Sequence, residues 1–215
     1  MKAIFFNDIE NDHLTEIFKE LYKDKVYKPY LEGKKDLTIL DIGANQGLTT
    51  YYFYQFAKRI YSIEPSKRHV EVLKAMLKFN DMEDKVTVIQ KALSHESGTK
   101  TFFHNTNTTM FSLKGLVSDK GEKEEVDTIT FDILFKENNI DHVDFVKLDI
   151  EGSECEVLAS EGFEKVASKI DLIVGEYHQW SGVNPGQLAS SLRDNGFTFD
   201  WLNKTEASIF VSRRA

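Results

Sequence analysis

Asp41-Ile42-Gly43-Ala44-Asn45-Gln46-Gly47 is the stretch whose reading decides the fold. It follows the apolar run Leu37-Thr38-Ile39-Leu40, and a helix-like segment begins directly behind it. Strand, glycine turn, helix is the order by which α/β proteins build a seat for a nucleotide-like ligand. Gly43 permits the tight turn, and Gly47, lacking a Cβ, lets backbone and ligand approach closely. The N–H groups at the helix start suit negative or polar ligand atoms. A dinucleotide fingerprint would read G-x-G-x-x-G, whereas here three residues separate the glycines and position 45 is Asn.

A strand–helix alternation extends downstream from this turn. Leu37 to Ile42 reads as a strand, 49–58 as its helix and 59–63 as the next strand. Residues 66–80 form a helix with Val70, Leu73, Leu77 and Met76 facing inward, and 85–90 a third strand. The pattern resumes with helix 131–138, strand 143–150, helix 153–166, strand 171–177 and a helix over 185–195 stopped by Gly196. Two short strands, 197–202 and 207–212, close the chain as an antiparallel hairpin. Such alternation predicts an α/β fold with a mostly parallel, doubly wound sheet and helices on both faces.

Two stretches break the rhythm. Ile9, Leu14, Ile17, Phe18 and Leu21 are spaced for one face of a helix over 8–23, followed by a polar loop over 24–36. Residues 1–36 are therefore expected to be an N-terminal helical cap on a main domain, 37–215. The second break is an insertion near 99–130, with strands at 101–104 and 126–130 around a polar segment, 105–125, that is a lid or a plain surface hairpin. The run Glu122-Lys123-Glu124-Glu125 reads as a solvated loop face.

Bulk properties bound the function. A chain of 215 residues suits one domain with an appendage. A net charge of −8 argues against nucleic acid or an anionic membrane recognised by bulk charge. The single cysteine, Cys155, excludes an intrachain disulfide and a cysteine-rich zinc site, favours a reducing compartment and reads as structural. The opening apolar run is too short for a signal peptide, and no window has the apolar length of a membrane span. A cytoplasmic protein is expected.

Glu64 ends the second strand roughly 20 residues after Gly43, where nucleotide-binding α/β folds place an acid on the ribose hydroxyls. A ribose acid with a G-x-x-x-G turn fits S-adenosylmethionine better than NAD, because that ligand has no pyrophosphate to accommodate. A second constellation is Lys147-Leu148-Asp149-Ile150-Glu151-Gly152-Ser153-Glu154. Strand alternation sends Lys147, Asp149 and Glu151 to one side, which is expensive unless they meet water, each other or a ligand. Glu176 and His178 share a face at the end of the following strand. Should the two strands be neighbours, these groups converge, and they could hold a hard divalent cation or serve as a general base. Trp180, Tyr177, Phe111 and Met110 are candidates for an apolar substrate wall.

With these residues in hand, the chain resembles the FkbM-type family of S-adenosylmethionine-dependent methyltransferases over roughly 37–178. Asp41 to Gly47 looks like the family's cofactor turn and Glu64-Pro65 like its ribose acid; Leu73 and Asn80 sit in its next helix, and Ala92-Leu93-Ser94 with Gly98 looks like the segment beside the adenine. Thr130-Phe131-Asp132 is similar to its Thr-Leu-Asp, Lys147 to Glu154 to its most distinctive signature, and Glu176 to its acid on strand five. The resemblance implies a Rossmann-like, seven-stranded class I methyltransferase fold. It implies a cofactor held by Asp41, Gly43, Asn45, Gly47, Glu64, Ala92 and Asp149, and in-line methyl transfer to an oxygen. Asp149, His178 or Glu176 would receive the acceptor's proton, Lys147 would orient Asp149 or hold an anionic substrate group, and no metal is assigned. The implied partner is a hydroxyl-bearing small molecule or carbohydrate. Alternatives are an N-methyltransferase of a macromolecule, a non-catalytic cofactor-binding module and an NAD-dependent dehydrogenase. The chain lacks the Asn/Asp-Pro-Pro-aromatic tetrapeptide common in N-methyltransferases, and Asn45 with the glycine spacing opposes NAD.

Overall fold

The computed structural model describes residues 15, 17–104, 111–112, 123–202 and 207–215. In chain order the strands are β1 (Leu37–Ile42), β2 (Ala57–Ile63), β3 (Val86–Ile89), β4 (Ala92–Leu93), β5 (Gly98–His104), β6 (Phe111–Ser112), β7 (Lys123–Ile129), β8 (Phe145–Leu148), β9 (Leu172–His178), β10 (Asp200–Trp201) and β11 (Ala207–Arg213). The main sheet runs β10-β11-β9-β8-β1-β2-β3, parallel except at β11 and β10. β1 is the switch point. The chain moves outward from it through β2 and β3, then returns to its other side with β8 and β9. In such sheets the crevice beyond the carboxyl ends at the switch point is where ligands bind.

Both faces of β1 are buried, as a central parallel strand requires. Leu40 and Ile42 join Val146, Leu148, Phe131 and Phe163 on one face. Ile39 faces the other, with Phe53, Phe145, Tyr27 and Leu31. Among the described residues, seven α-helices flank the sheet: α1 (Lys28–Leu31), α2 (Leu48–Phe53), α3 (Lys67–Phe79), α4 (Phe131–Glu137), α5 (Glu154–Leu158), α6 (Glu161–Ala167) and α7 (Pro185–Asp194). α3 starts where the Ser66 side chain accepts from the His69 N–H, and it buries His69, Val70, Leu73, Met76 and Leu77 along one stripe. α7 is capped by Asn184 with Pro185 at its first position, and the chain leaves it through Gly196 at φ 83°.

Several sequence expectations need correction. The stretch 153–166 is two helices, because the Ser160 side chain accepts from the Phe163 N–H and starts α6 afresh. The strand expected over 143–150 is regular only from Phe145 to Leu148, with Val143 in an isolated bridge. The helix expected to reach residue 58 ends at Phe53, and β2 starts at Ala57. The polar stretch 24–36 is not all loop: it holds α1, and Tyr27 and Leu31 are buried. Of the helix expected over 8–23, the described part is helical and turns π-helical over Lys19–Asp24. Lys123, Glu124 and Glu125 belong to β7, with Glu125 accepting from the Thr101 hydroxyl at 2.8 Å. The inserted hairpin is a four-stranded sheet, β4-β7-β5-β6, while Met110 and most of 105–125 lie outside the described residues. Among the described residues, no helix is long and apolar enough to cross a membrane.

Leu31 is fully buried in the same cluster as Phe53 and Phe145. Leu31→Ala should therefore cost about 2–5 kcal/mol of stability in urea unfolding. A loss below about 0.5 kcal/mol, the range of surface substitutions, would mean that α1 is not integral to the core.

Candidate active site

The turn after β1 uses three left-handed residues, Gly43 (φ 80°), Asn45 (φ 50°) and Gly47 (φ 94°). A Cβ on Gly43 would lie 1.8 Å from the Asp149 carbonyl oxygen, and one on Gly47 2.4 Å from Leu73 Cδ1. Gly43 thus lets the loop after β8 lie against the turn, and Gly47 lets α2 lie against α3. Asp41 sits beneath the turn and does not line the cleft: it is fully buried and accepts from the hydroxyls of Thr49 at 2.8 and 3.0 Å and Thr50 at 2.6 Å. Burial raises its pKa, against the pull of Lys147 and the two threonines. Of the residues expected to touch cofactor, Asp41 and Gly47 are therefore supports placed behind the turn.

Glu64 stands at the end of β2 with both oxygens anchored. Oε2 accepts from the Asn45 N–H and Oε1 from the Ser66 N–H, each at 2.9 Å, and His69 Nδ1 lies 3.4 Å away. Each oxygen keeps a lone pair for a diol. A cleft of about 610 Å³, counted out to solvent, opens above it. Gly43, Asn45, Glu64, Ala92 and Asp149 line it, and Pro65, Leu93 and Phe102 give it apolar walls. Glu64, Asp149 and Glu151 are the carboxylates among its described walls, and no lysine or arginine lines it there. An acidic slot with an anchored diol acceptor and flat apolar sides fits a cationic sulfonium nucleoside.

The second constellation gathers at the ends of β8 and β9, which are neighbours. Lys147 is buried. Its Nζ contacts Asp149 Oδ2 at 3.1 Å and donates to the carbonyls of Gly43 at 2.8 Å and Ile42 at 3.4 Å. Burial opposes its charge, yet Asp149 and Asp41 outweigh burial and leave its pKa raised. Beyond Leu148 the chain leaves the sheet, so strand alternation does not place Glu151. It is placed by a reversal through Glu151 (φ 53°) and Gly152 (φ 94°). Glu154 fixes that reversal: almost fully buried, its Oε1 accepts from the N–H of Ile150 at 3.0 Å and of Gly152 at 3.2 Å.

The same Glu154 oxygen holds His178 Nδ1 at 3.0 Å, which leaves Nε2 facing Glu151 at 3.4 Å and Asp149 at 3.9 Å. Burial disfavours the imidazolium, but Glu154, Asp149 and Glu151 overcome burial and lift the His178 pKa to about 10. Burial, and after it the Asp149 charge, pushes the carboxyls of Glu151 and Glu176 well above the carboxylate range. Asp149, Glu151 and His178 each offer a ligand atom within 4.8 Å of the others. The group can pass protons or accept a divalent cation. Trp180 stands at its rim, 5.4 Å from the His178 ring and 37% exposed. Tyr177 points the other way, into the core against Trp201, and Cys155 is buried.

Sequence reasoning missed the anchoring role of Glu154. It also missed the N-terminal contribution: Ile17 lines the cleft, and Glu20 and Tyr27 line a recess beside it. A tyrosine inside an otherwise polar stretch was the available signal for the last.

Comparison with known proteins shows the family. The profile of the methyltransferase FkbM domain matches residues 41–199. Methyltransferase sdnD of Sordaria araneosa is 30% identical over 216 residues, spanning 84% of this chain and 81% of that protein. Among solved structures, a Streptococcus mutans protein in complex with SAH superposes with a TM-score of 0.57 at 8% identity, covering 89% of this chain and 97% of that one. Magnesium protoporphyrin IX methyltransferase of Synechocystis, with bound SAM, gives 0.54 at 14%, covering 94% and 80%. Precorrin-6y C5,15-methyltransferase of Geobacter metallireducens gives 0.53 at 15%, covering 88% and 86%. At these identities the structural likeness is one of fold.

His178 keeps its proton in the folded state from its ordinary 6.5 up to about 10, and the raised Glu176 likewise holds a proton that the unfolded chain has released. His178 contributes stability that is lost between pH 6.5 and about 10, and Glu176 stability that is lost between pH 4.5 and about 9. The melting temperature should fall between pH 6.5 and 10, and fall less in Glu176→Gln, which keeps the shape without titrating. Identical slopes in the two proteins would show that Glu176 is not held protonated.

Proposed function

The chain belongs to the FkbM family of methyltransferases, with S-adenosylmethionine as cofactor, and we propose that it methylates a hydroxyl oxygen of a small molecule or sugar. The observation that carries this reading is the position of Asp149, which walls both the acidic cleft and the recess beside it. When bound, the cofactor supplies a methyl group already activated as a sulfonium. The chain's own task is then alignment of the acceptor oxygen and removal of its proton. Glu64 would take the ribose diol, and Gly43, Asn45 and Ala92 would shape the slot around the nucleoside.

Asp149 is the group assigned to receive the acceptor's proton. Lys147 acts as its positioning residue, since the ammonium at 3.1 Å fixes the carboxylate against the glycine turn. His178 and Glu176 rank behind Asp149 as bases, because their raised pKa values keep both protonated near neutral pH. In this scheme His178 orients the acceptor or Asp149, held in place by Glu154. Trp180 offers a flat apolar face at the rim, suited to a sugar or another ring. The single cysteine, buried, and the net charge of −8 are consistent with a cytoplasmic enzyme acting on a small acceptor. The proximity of Asp149, Glu151 and His178 also favours a second reading, in which they share a divalent cation that helps to bind the acceptor oxygen.

A screen of hydroxylated acceptors with methyl-labelled cofactor, followed by mass spectrometry, tests the reading. Asp149→Asn should lower kcat by about 10²–10⁴-fold at saturating cofactor. Undiminished turnover in that variant would remove Asp149 as the base. Activity that disappears with chelator and returns with added cation would favour the metal reading, and activity indifferent to chelator would end it.

A further inference from the structure

The cleft lies beyond the carboxyl end of β8, where Asp149 and Glu151 wall it. At the amino ends of β8 and β9, the far end of the sheet, a second set of side chains converges. His142 Nε2 lies 3.0 Å from Asp171 Oδ2 and 3.7 Å from Asp144 Oδ1. Each of the three residues offers one ligand atom within 4.8 Å of the other two. The backbone holds both acids in place. Asp144 donates its N–H to the Thr38 carbonyl at 3.0 Å, and its Oδ2 accepts from the Thr38 N–H at 2.7 Å, which leaves Oδ1 to His142. Asp171 donates its N–H to the Val143 carbonyl at 3.0 Å, and its carbonyl accepts from the Arg214 N–H at 2.9 Å. Two carboxylates thus stand close together, and among the described residues the ion-pair partner of both is His142, with no lysine or arginine paired to either.

We propose that His142, Asp144 and Asp171 bind a divalent cation of the zinc class, as a structural clasp at the base of the sheet. One imidazole nitrogen with two carboxylate oxygens suits zinc or cobalt, whereas magnesium and calcium take oxygen donors. A tetrahedral ion with donors about 2.0–2.2 Å away sets neighbouring donors roughly 3.3–3.6 Å apart. The separations of 3.0 and 3.7 Å from His142 Nε2 straddle that spacing, so small side-chain rotations close the set. The side chains of His142 and Asp171 are half-exposed, which leaves the remaining position to water. Charge argues the same way. Ligation takes the imidazole neutral and the carboxylates ionised, and a doubly charged ion then cancels both acids. Asp144 stands directly before β8 and Asp171 directly before β9, and His142 lies in the connection from α4. The ion would therefore pin that connection to the starts of two core strands, where Val143 and Ile170 form an isolated bridge. The clasp is separate from the group Asp149, Glu151 and His178 at the other end of these strands, and it does not depend on the cofactor or the acceptor.

Calorimetric titration of the full chain with zinc chloride tests the clasp. Wild type should bind zinc saturably. His142→Ala and Asp171→Asn should each lose one equivalent or weaken it about tenfold or more, since removing even an outer partner of a metal site costs about 10–100-fold. Asp144 is left unchanged because its Oδ2 also holds the Thr38 N–H. Melting temperatures without metal identify a variant that fails to fold, and the other variant then carries the test. Zinc should also raise the melting temperature of wild type by about 2 °C or more, and leave that of His142→Ala unmoved. Loss of one equivalent from His142→Ala upholds the proposal whether or not a second ion binds at Asp149, Glu151 and His178. A wild-type chain that binds no zinc overturns it, as does zinc held with undiminished stoichiometry and affinity by a folded His142→Ala or Asp171→Asn. Zinc bound without any rise in melting temperature would overturn the structural role.

Discussion

A buried ammonium group ties the working parts of this molecule together. The β1–β8 register sets Lys147 beside Asp41, and from there its Nζ reaches the Gly43 and Ile42 carbonyls and the Asp149 carboxylate. An isolated buried ammonium would cost several kcal/mol, so the site holds together only while Asp149 and Asp41 supply counter-charge. The arrangement also needs glycine at 43, since any Cβ there would strike the Asp149 carbonyl. One lysine thereby fastens the cofactor turn at the end of β1 to the loop after β8, which carries the group assigned as base. The glycine turn and the loop after β8 share one electrostatic joint.

The surplus of acid around that joint has a physical logic. Asp149, Glu151, Glu154 and Glu176 face one histidine and one lysine, and burial leaves them little water. Left ionised, they would repel one another, and the raised carboxyls of Glu151 and Glu176 are the outcome. A sulfonium brings positive charge into a cleft walled by the Glu64 and Asp149 carboxylates, where it meets favourable potential without a dedicated counter-ion. The same acid would repel a pyrophosphate. Electrostatics and the glycine spacing of the turn therefore select the same class of cofactor.

Elements whose apolar spacing decides their structure were legible from the chain. β1 matches its expected ends, and α3 lies between the expected cap positions, because Leu37, Ile39 and Leu40 and the Val70–Leu77 stripe admit one period only. The convergence of Asp149, Glu151 and His178 was legible too, once β8 and β9 were taken as neighbours. Features set by tertiary hydrogen bonds were not. Asp41 reads as an acid at a strand end, and nothing in the spacing says that Thr49 and Thr50 absorb it. In the sequence Glu151 continues an alternation, but its left-handed φ takes it off the strand. Ser160 interrupts an apolar pattern that is otherwise continuous from Cys155 to Val166, so two helices pass for one.

Fold likeness does not choose the acceptor. Solved structures with the same architecture include a precorrin methyltransferase, a magnesium protoporphyrin methyltransferase and a pre-rRNA processing protein, all at 16% identity or below. What they share with this chain is the fold. The parts laid over the carboxyl ends of β1 and β8 in this chain are the N-terminal segment, the small sheet β4-β7-β5-β6 and the connection from β9 to α7. The small sheet walls the cleft through Ala92, Leu93 and Phe102, and the N-terminal segment walls the recess through Ile17, Glu20 and Tyr27. The connection after β9 is the part that stands beside His178, and it carries the half-open Trp180. Gly152 has no room for a Cβ beneath that indole, which would meet it at 2.8 Å, so the reversal that places Glu151 also seats the aromatic ring. The indole and the acid cluster are therefore packed on one turn.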